Sequence, residues 1–281
     1  MRLLVTGGSG YLGGEILRRA PGAVGTAYTG AGEVRLDVRD AGAVRALIGS
    51  VRPACVIHTA YARSGDAAWD VNVSGARNVA VAAAAAGARL VHLSTDVVFA
   101  GDAGRPYLEA DWPRPVTAYG RSKAEAEAAV RAAHPGATIV RTSLIYGGSE
   151  LSTHERAVLD AVDGTAPMGF FADEVRCPVH VGDLAQAVLE LSHVSLAGPL
   201  HVAGSDAVSR YGFARLVAAA HGRDEGLVEA TLCAALSDPR PLDCRLDCGR
   251  ARSLLRTPMR GVREVLQGPS RSISQPASAL V

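Results

Sequence analysis

Short apolar runs alternate with Ala-rich stretches of helical character through the first half of the chain. Leu3-Leu4-Val5 leads into Glu15 to Arg19, Ala23 to Tyr28 stands alone, and Val34 to Leu36 precedes Ala41 to Ile48. Cys55 to His58 is followed by Asp70 to Ala86. After Leu90 to Leu93 come a long loop, a helical stretch from Ala118 to Ala133, and Thr138 to Arg141. Alternation of this kind predicts βαβ units wound on both sides of a parallel sheet, an α/β fold. The strand candidates are apolar on both faces, as strands covered by helices on either side should be.

Beyond Tyr146 the pattern loosens. Gly164 to Gly169 interrupts it, Cys177 to Val181 reads as a strand and Gly182 to Leu191 as a helix. A strand at Leu200 to Ala203 and a helix at Tyr211 to Ala220 follow. Elements near 175–204 are expected to return to the sheet. The remainder of 148–267 forms a small substrate-binding lobe over the carboxyl ends of the strands, where open α/β sheets bind ligands. Residues 268–281 are polar and without periodicity, the pattern of a disordered tail.

Composition narrows the function classes. The 281 residues are 48% hydrophobic and 20% charged, with a net charge of +1 and no block of either sign. That leaves no electrostatic footprint for nucleic acid or an anionic membrane surface. The amino-terminal residues enter an apolar strand directly, with no signal-peptide pattern. The apolar run near Val79 to Ala86 is about half the roughly 20 residues of a membrane span, so a cytoplasmic location is expected. Cys55, Cys177, Cys233, Cys244 and Cys248 contain no C-x-x-C and read as buried thiols. The eight histidines have no ligand spacing, and no metal is expected.

Chemistry enters with the glycines. Thr6-Gly7-Gly8-Ser9-Gly10-Tyr11-Leu12-Gly13 places glycines at 7, 10 and 13, directly after the first strand and at the opening of the first helix. The first permits a tight turn, the second lets a pyrophosphate approach the backbone, and the third allows close helix packing. The free N–H groups and positive end of the helix then face the phosphates. Where an acid at the end of the second strand would bind a ribose and favour NAD, the chain reads Ala27-Tyr28-Thr29-Gly30. With Arg18, Arg35 and Arg39 nearby, NADP(H) is favoured and NAD(H) remains open. Asp37 and Val38 follow the third strand; Asp37 either borders the adenine or serves as a helix cap or turn residue.

Lys123 is the most informative single position. It is the one lysine of the chain, arginine filling the other 28 of the 29 basic positions. Exposed ion pairs contribute only about 0–1 kcal/mol, so a surface role would accept either residue; position 123 asks for a compact ammonium. It follows Tyr119 by four residues on a helical stretch, which sets phenol and ammonium side by side. A neighbouring cation is expected to lower the phenol's pKa and ready it for proton transfer. Leu93-Ser94-Thr95-Asp96 ends an apolar strand, so its hydroxyls should emerge at the coenzyme-facing edge, with Thr95 able to fix a carbonyl oxygen.

Taken together, the Thr-Gly-x-x-Gly-x-x-Gly, the Tyr-x-x-x-Lys and the preceding Ser94-Thr95 resemble the extended short-chain dehydrogenase/reductases. The finer resemblance is to the dTDP-4-dehydrorhamnose reductase group. It is carried by Val91 to Phe99, Pro106-Tyr107-Leu108-Glu109, Pro115 to Lys123 and Arg141 to Gly147, densely to about Gly147 and thinly afterwards. The resemblance implies a dinucleotide-binding Rossmann domain over 1–147. It implies Tyr119 as the acid, Lys123 as the residue that holds the nicotinamide ribose, and Thr95 orienting the ketone. Coenzyme contacts would come from Gly7, Ser9, Gly10, Tyr11, Leu12, Asp37, Val38, Ala60, Tyr61, Ala62 and Ser94, besides Tyr119 and Lys123. Substrate would meet Thr95, Asp96 and Leu144.

The departures are informative too. The group carries an aromatic residue where Val97 stands and a Trp where Leu144 stands. Dehydratase relatives place an Asp-Glu pair after the Thr, whereas Asp96 is followed by Val97; one carboxylate short, the site favours carbonyl reduction over elimination. Asp96 either touches substrate and tunes the site or is structural. In Arg176 to Ala185, Asp183 reads as an early helix residue favoured by the dipole, and His180 as a packed neutral side chain. The expected function is NAD(P)H-dependent reduction of a keto group on a nucleotide-linked sugar or similar polar metabolite. A non-catalytic coenzyme-binding subunit and an NAD-dependent epimerase are the alternatives. A homodimer is the default assembly.

Overall fold

The structure is a computed structural model and describes residues 1–29, 34–233 and 238–268. The stretch 269–281, where the tail was expected, lies outside the described residues. Seven strands form one parallel sheet: β1 (Leu3–Thr6), β2 (Val24–Ala27), β3 (Val34–Arg35), β4 (Cys55–His58), β5 (Arg89–Thr95), β6 (Thr138–Thr142) and β11 (Gly198–His201). Their order is β3-β2-β1-β4-β5-β6-β11, every neighbouring pair parallel. This is the doubly wound fold expected from the alternation. Its order reverses between β1 and β4, and the crevice above that reversal is where such sheets bind ligands.

Helices cover both faces. On one, α2 (Ala41–Val51), α3 (Ala76–Ala85) and α4 (Ala118–Ala133) bury Leu4, Val56, Leu90 and Ile139. On the other, α1 (Tyr11–Arg19) and α6 (Val181–Leu191) bury Val5, Ile57, Val91 and Val140. The strand residues alternate between these two cores, as the two-residue period requires. Side chains at the carboxyl ends of the central strands turn polar: Thr6, His58, His92, Ser94 and Arg141 are all buried.

Outside the sheet, β7 (Ile145–Tyr146) pairs with β10 (Val179–His180). A smaller core gathers α5 (Thr153–Val162), β8 (Phe170–Phe171), β12 (Val208–Ser209) and α7 (Arg210–Ala220) with α9 (Val262–Gln267) around Tyr146, Phe170 and Phe213. β9 (Val175–Arg176) pairs antiparallel with β12, β13 (Ala230–Thr231) pairs with β8, and α8 (Gly249–Leu254) lies by β11.

Two local readings need correction. The strand expected over Cys177–Val181 is cut to Val179–His180, because His180 caps α6 and its Nδ1 accepts from Gly182 N at 3.2 Å. The single helix expected over Asp70–Ala86 begins as a π-helical turn, Asp70–Gly75. Gly75 there packs against Val38, whose Cγ2 would stand 2.6 Å from an added Cβ. Wide turns of this kind are frequent at functional sites.

Candidate active site

The turn after β1 is shaped by contacts that exclude side chains. Gly7 has φ +79°, and a Cβ there would lie 2.7 Å from Ala60 N; at Gly13 it would lie 2.1 Å from Gly7 O. Gly10 caps α1 without a side-chain hydrogen bond, and no acid occupies the first turn of the helix. Its leading N–H groups are therefore left for an anion, with the helix dipole behind them. A cavity of about 410 Å³ opens here, lined by Gly8, Ser9, Gly10 and Tyr11 from one side and Gly148 to Glu150 from the other. The cradle fits a dinucleotide pyrophosphate, as the glycine spacing implied.

Tyr11 does more than continue the turn. Its hydroxyl donates to the carbonyls of Gly147 and Glu150, tying the first turn of α1 to the loop that enters α5. Gly147 N in turn donates to Glu155 Oε2 at 3.1 Å, and Glu155 completes a capping box with Ser152. Leu12 is buried in the core beside β1.

On the opposite wall, α4 begins after Thr117, whose hydroxyl accepts from Gly120 N at 3.0 Å. Tyr119 is half-buried near its start, and the Tyr61 ring lies 6.0 Å away, centroid to centroid. One turn on, Lys123 is 3% exposed and its Nζ donates to Leu93 O at 2.7 Å. Thr95 stands at the end of β5, where its hydroxyl accepts from Val97 N at 3.3 Å. Ala60 to Ala62 bridge the two walls. Asn72, inside the π turn, accepts from Ala62 N at 2.9 Å, donates to Ala62 O at 2.8 Å and donates to Ser122 Oγ at 2.9 Å. Ser122 donates to Tyr119 O at 2.8 Å.

Electrostatics revise one expectation. Burial pushes the Tyr119 pKa up, with Tyr61 and Asp96 adding and Arg63 opposing. The phenol thus holds its proton rather than being lowered by Lys123, whose ammonium is engaged with the Leu93 carbonyl. Lys123 itself is pushed down to about 8 by burial, against the opposing charge of Glu127.

Other expected residues are held by neighbouring groups. Asp37 is bound by Arg39, Nη2 to Oδ2 at 2.7 Å, in a turn beside Tyr28; Asp40, not Asp37, caps α2. Val38 is buried against α3 and Gly75. Arg18 is held by Glu15 at 2.6 Å. Ser94 donates to Glu127 Oε1 at 2.5 Å, and Glu127 pairs with Arg141 at 2.8 Å, both charges sealed from water. Ser94 therefore joins α4 to the sheet. Asp96 is 3% exposed, accepts from Ser143 Oγ at 2.6 Å and faces Arg176 at 3.7 Å. Burial raises its pKa against those partners, and the Thr95 hydroxyl donates to its Oδ1 at 3.2 Å. Leu144 is half-buried, its carbonyl accepting from Val179 N. All five cysteines are buried and free.

Asn72 and Glu127 were missed by sequence reasoning. Glu127 had a signal, since it continues the four-residue spacing of Tyr119 and Lys123. Asn72 had only its presence in an Ala-rich helical stretch.

A family model described as the RmlD substrate binding domain matches residues 1–271. The dTDP-4-dehydrorhamnose reductase of Mycobacterium tuberculosis is 35% identical over 250 residues, 85% of this chain and 82% of that protein. The methionine adenosyltransferase 2 subunit beta of Bos taurus is 32% identical over 292 aligned positions, 94% and 87% of the two chains. Among solved structures, dTDP-4-dehydrorhamnose reductase from Bacillus anthracis in complex with NADP superposes with a TM-score of 0.84 at 28% identity, covering 95% of this chain and 97% of that one.

Proposed function

The chain belongs to the RmlD substrate binding domain family, and from that premise we propose that it reduces a ketone on a nucleotide-linked sugar. The coenzyme is NADPH in preference to NADH, and when bound it supplies the hydride. The observation that carries the reading is the pair on α4: a proton-bearing phenol one turn from a buried ammonium, across the switch-point crevice from the glycine cradle.

The residues divide the work. Tyr119 gives its proton to the carbonyl oxygen as the carbon is reduced, and burial keeps that proton in place through the neutral range. General acid catalysis of this kind contributes about 10²–10⁴ in rate. Lys123 holds the nicotinamide ribose and steadies the phenolate left behind. Thr95 orients the carbonyl. Tyr11 and Leu12 offer backbone N–H groups to the pyrophosphate, Gly10, whose own N–H is given to Gly7 O at 3.0 Å, lets it approach the backbone, and Ala60 to Ala62 line the coenzyme under the hold of Asn72.

A phosphorylated substrate is supported by the cationic side of the lobe. Arg210, at the start of α7, contacts His154 Nδ1 at 3.4 Å and has one guanidinium nitrogen without a partner among the described residues. Burial lowers its pKa to about 10, Glu174 opposing and Arg176, Arg240 and Arg63 adding, so it stays charged at neutral pH.

Purified protein with NADPH or NADH and a panel of nucleotide-linked 4-ketosugars tests the reading. Coenzyme oxidation with any of them supports it. Coenzyme binding with no turnover across the panel favours the second reading, a coenzyme-binding subunit, which the 32% identity to the methionine adenosyltransferase subunit supports.

A further inference from the structure

His58 and His92 stand side by side on β4 and β5, paired in register, with ring centroids 5.3 Å apart and planes 24° from parallel. Their exposures are 1% and 0%. Thr6 Oγ1 and His58 Nδ1 share a hydrogen bond of 2.6 Å. His58 Nε2 and both nitrogens of His92 have no partner among the described residues. A buried polar group left this way costs about 1–3 kcal/mol. The same strands use Val56, Ile57, Leu90 and Val91 elsewhere, so an aliphatic side chain would fill the space without that cost.

Both rings belong to the sheet face that α4 covers, His92 lying between Leu90 in the α4 core and Ser94, which bonds Glu127 of α4, and Lys123 is on that helix. Its Nζ bonds Leu93 O, the carbonyl of the residue next to His92. An ammonium has three protons to place, and Leu93 accepts one. The titratable groups around it are Tyr119 and Glu127 on α4, His58 on β4 and His92 on β5. Glu127 is spent on Arg141 and Ser94, and among the described residues the ammonium bonds Leu93 O and not the Tyr119 hydroxyl. The imidazoles are the remaining acceptors. Burial, with the Lys123 charge added, pushes His58 down to about 3 and His92 well below its usual range, so both rings are neutral and each offers a lone pair.

We propose that His92, backed by His58, is a positioning residue for Lys123, accepting from its ammonium through one buried water and holding it charged. Contacts longer than a direct hydrogen bond are commonly completed this way, and a buried water typically makes about three hydrogen bonds, here to the ammonium and the two rings. The functional meaning rests on the reductase reading of Lys123; the contact itself requires no coenzyme.

The single lysine makes the test direct. Labelling with lysine enriched in ¹³C at the ε-carbon gives one signal, whose shift against pH titrates Lys123 in the free protein. The wild type is expected to titrate near 8. His92→Leu should move the midpoint down by about one pH unit, a tenfold change in the protonation equilibrium. His92→Gln, which retains an acceptor, should recover most of it. If leucine does not fold, His92→Met makes the same comparison with a more adaptable side chain. A midpoint in the apolar variant within about 0.3 unit of wild type overturns the proposal, as does a glutamine variant that titrates like the apolar one. Wild-type protein that fails to turn over any ketosugar while keeping the His92-dependent midpoint counts against the reductase reading alone.

Discussion

Lys123 reaches from α4 to the backbone carbonyl of Leu93, 2.7 Å away, so the one ammonium side chain of the protein is fastened to the strand that ends in Thr95. The bond fixes where the charge stands relative to both Tyr119 and the hydroxyl at the strand terminus. A guanidinium cannot reproduce it, because its planar fork needs more width than a slot 3% exposed allows. Lys123→Arg should lower kcat/KM for ketone reduction by about 10²-fold or more, measured with saturating coenzyme. Activity within about threefold of wild type would mean the charge alone matters.

The pH dependence follows from the same residue. Only the ammonium form is competent, and burial brings its pKa down to about 8. The charged fraction is therefore full below that value and is lost as pH rises through it. In the reduction direction kcat/KM should fall on the alkaline side with an apparent pKa close to 8, rather than near the ordinary lysine value of about 10.4. A profile flat to pH 9.5, on the order of one unit past that point, would contradict the assignment.

Tyr119→Phe removes the proton donor and little else. The expected loss in kcat is about 10²–10⁴-fold. Coenzyme affinity, read by calorimetry, should stay within a few fold, because the glycine cradle and α1 are untouched.

Glu127 and Arg141 test the support beneath the site. Both are sealed from water, at 1% and 2% side-chain exposure, and Ser94 bonds the same carboxylate. Removing one partner leaves a buried charge alone, at a cost of about 3–5 kcal/mol. Glu127→Met should therefore lower the unfolding temperature sharply, and adding Arg141→Leu should restore much of the loss. Denaturation of the single and double variants checks this.

Tyr11→Phe keeps the ring and loses the hydroxyl that ties α1 to Gly147 and Glu150. Amide exchange over 147–152 should accelerate about tenfold, the equivalent of roughly 1–1.5 kcal/mol for the lost bonds. Unchanged exchange would show that the capping box alone holds the loop.

Much of this was legible in the sequence. The glycine turn, the phenol–ammonium spacing and the strand-end hydroxyls each depend on local geometry, and local geometry has a local pattern. What was not legible depends on surroundings. Tyr119 was expected to be a lowered phenol because its neighbour on the helix is a cation; burial, with Tyr61 and Asp96 adding, reverses the direction. Ser94 and Thr95 are adjacent in the chain, yet the strand period sends Ser94 into the Glu127–Arg141 pair and leaves Thr95 at the crevice. Asn72 joins Ala62 to α4 across ten and fifty residues of sequence, a link no spacing rule reaches.

If Tyr119 and Lys123 serve reduction of a ketosugar, the hydrogen that leaves nicotinamide C4 ends on the sugar. Coenzyme carrying deuterium at nicotinamide C4, mixed with a nucleotide-linked 4-ketosugar, tests it most directly by mass spectrometry of the sugar product. Wild-type protein should place one deuterium on the former carbonyl carbon, and Tyr119→Phe almost none in the same time. A wild-type protein that binds the coenzyme and leaves every such sugar unlabelled would contradict the account.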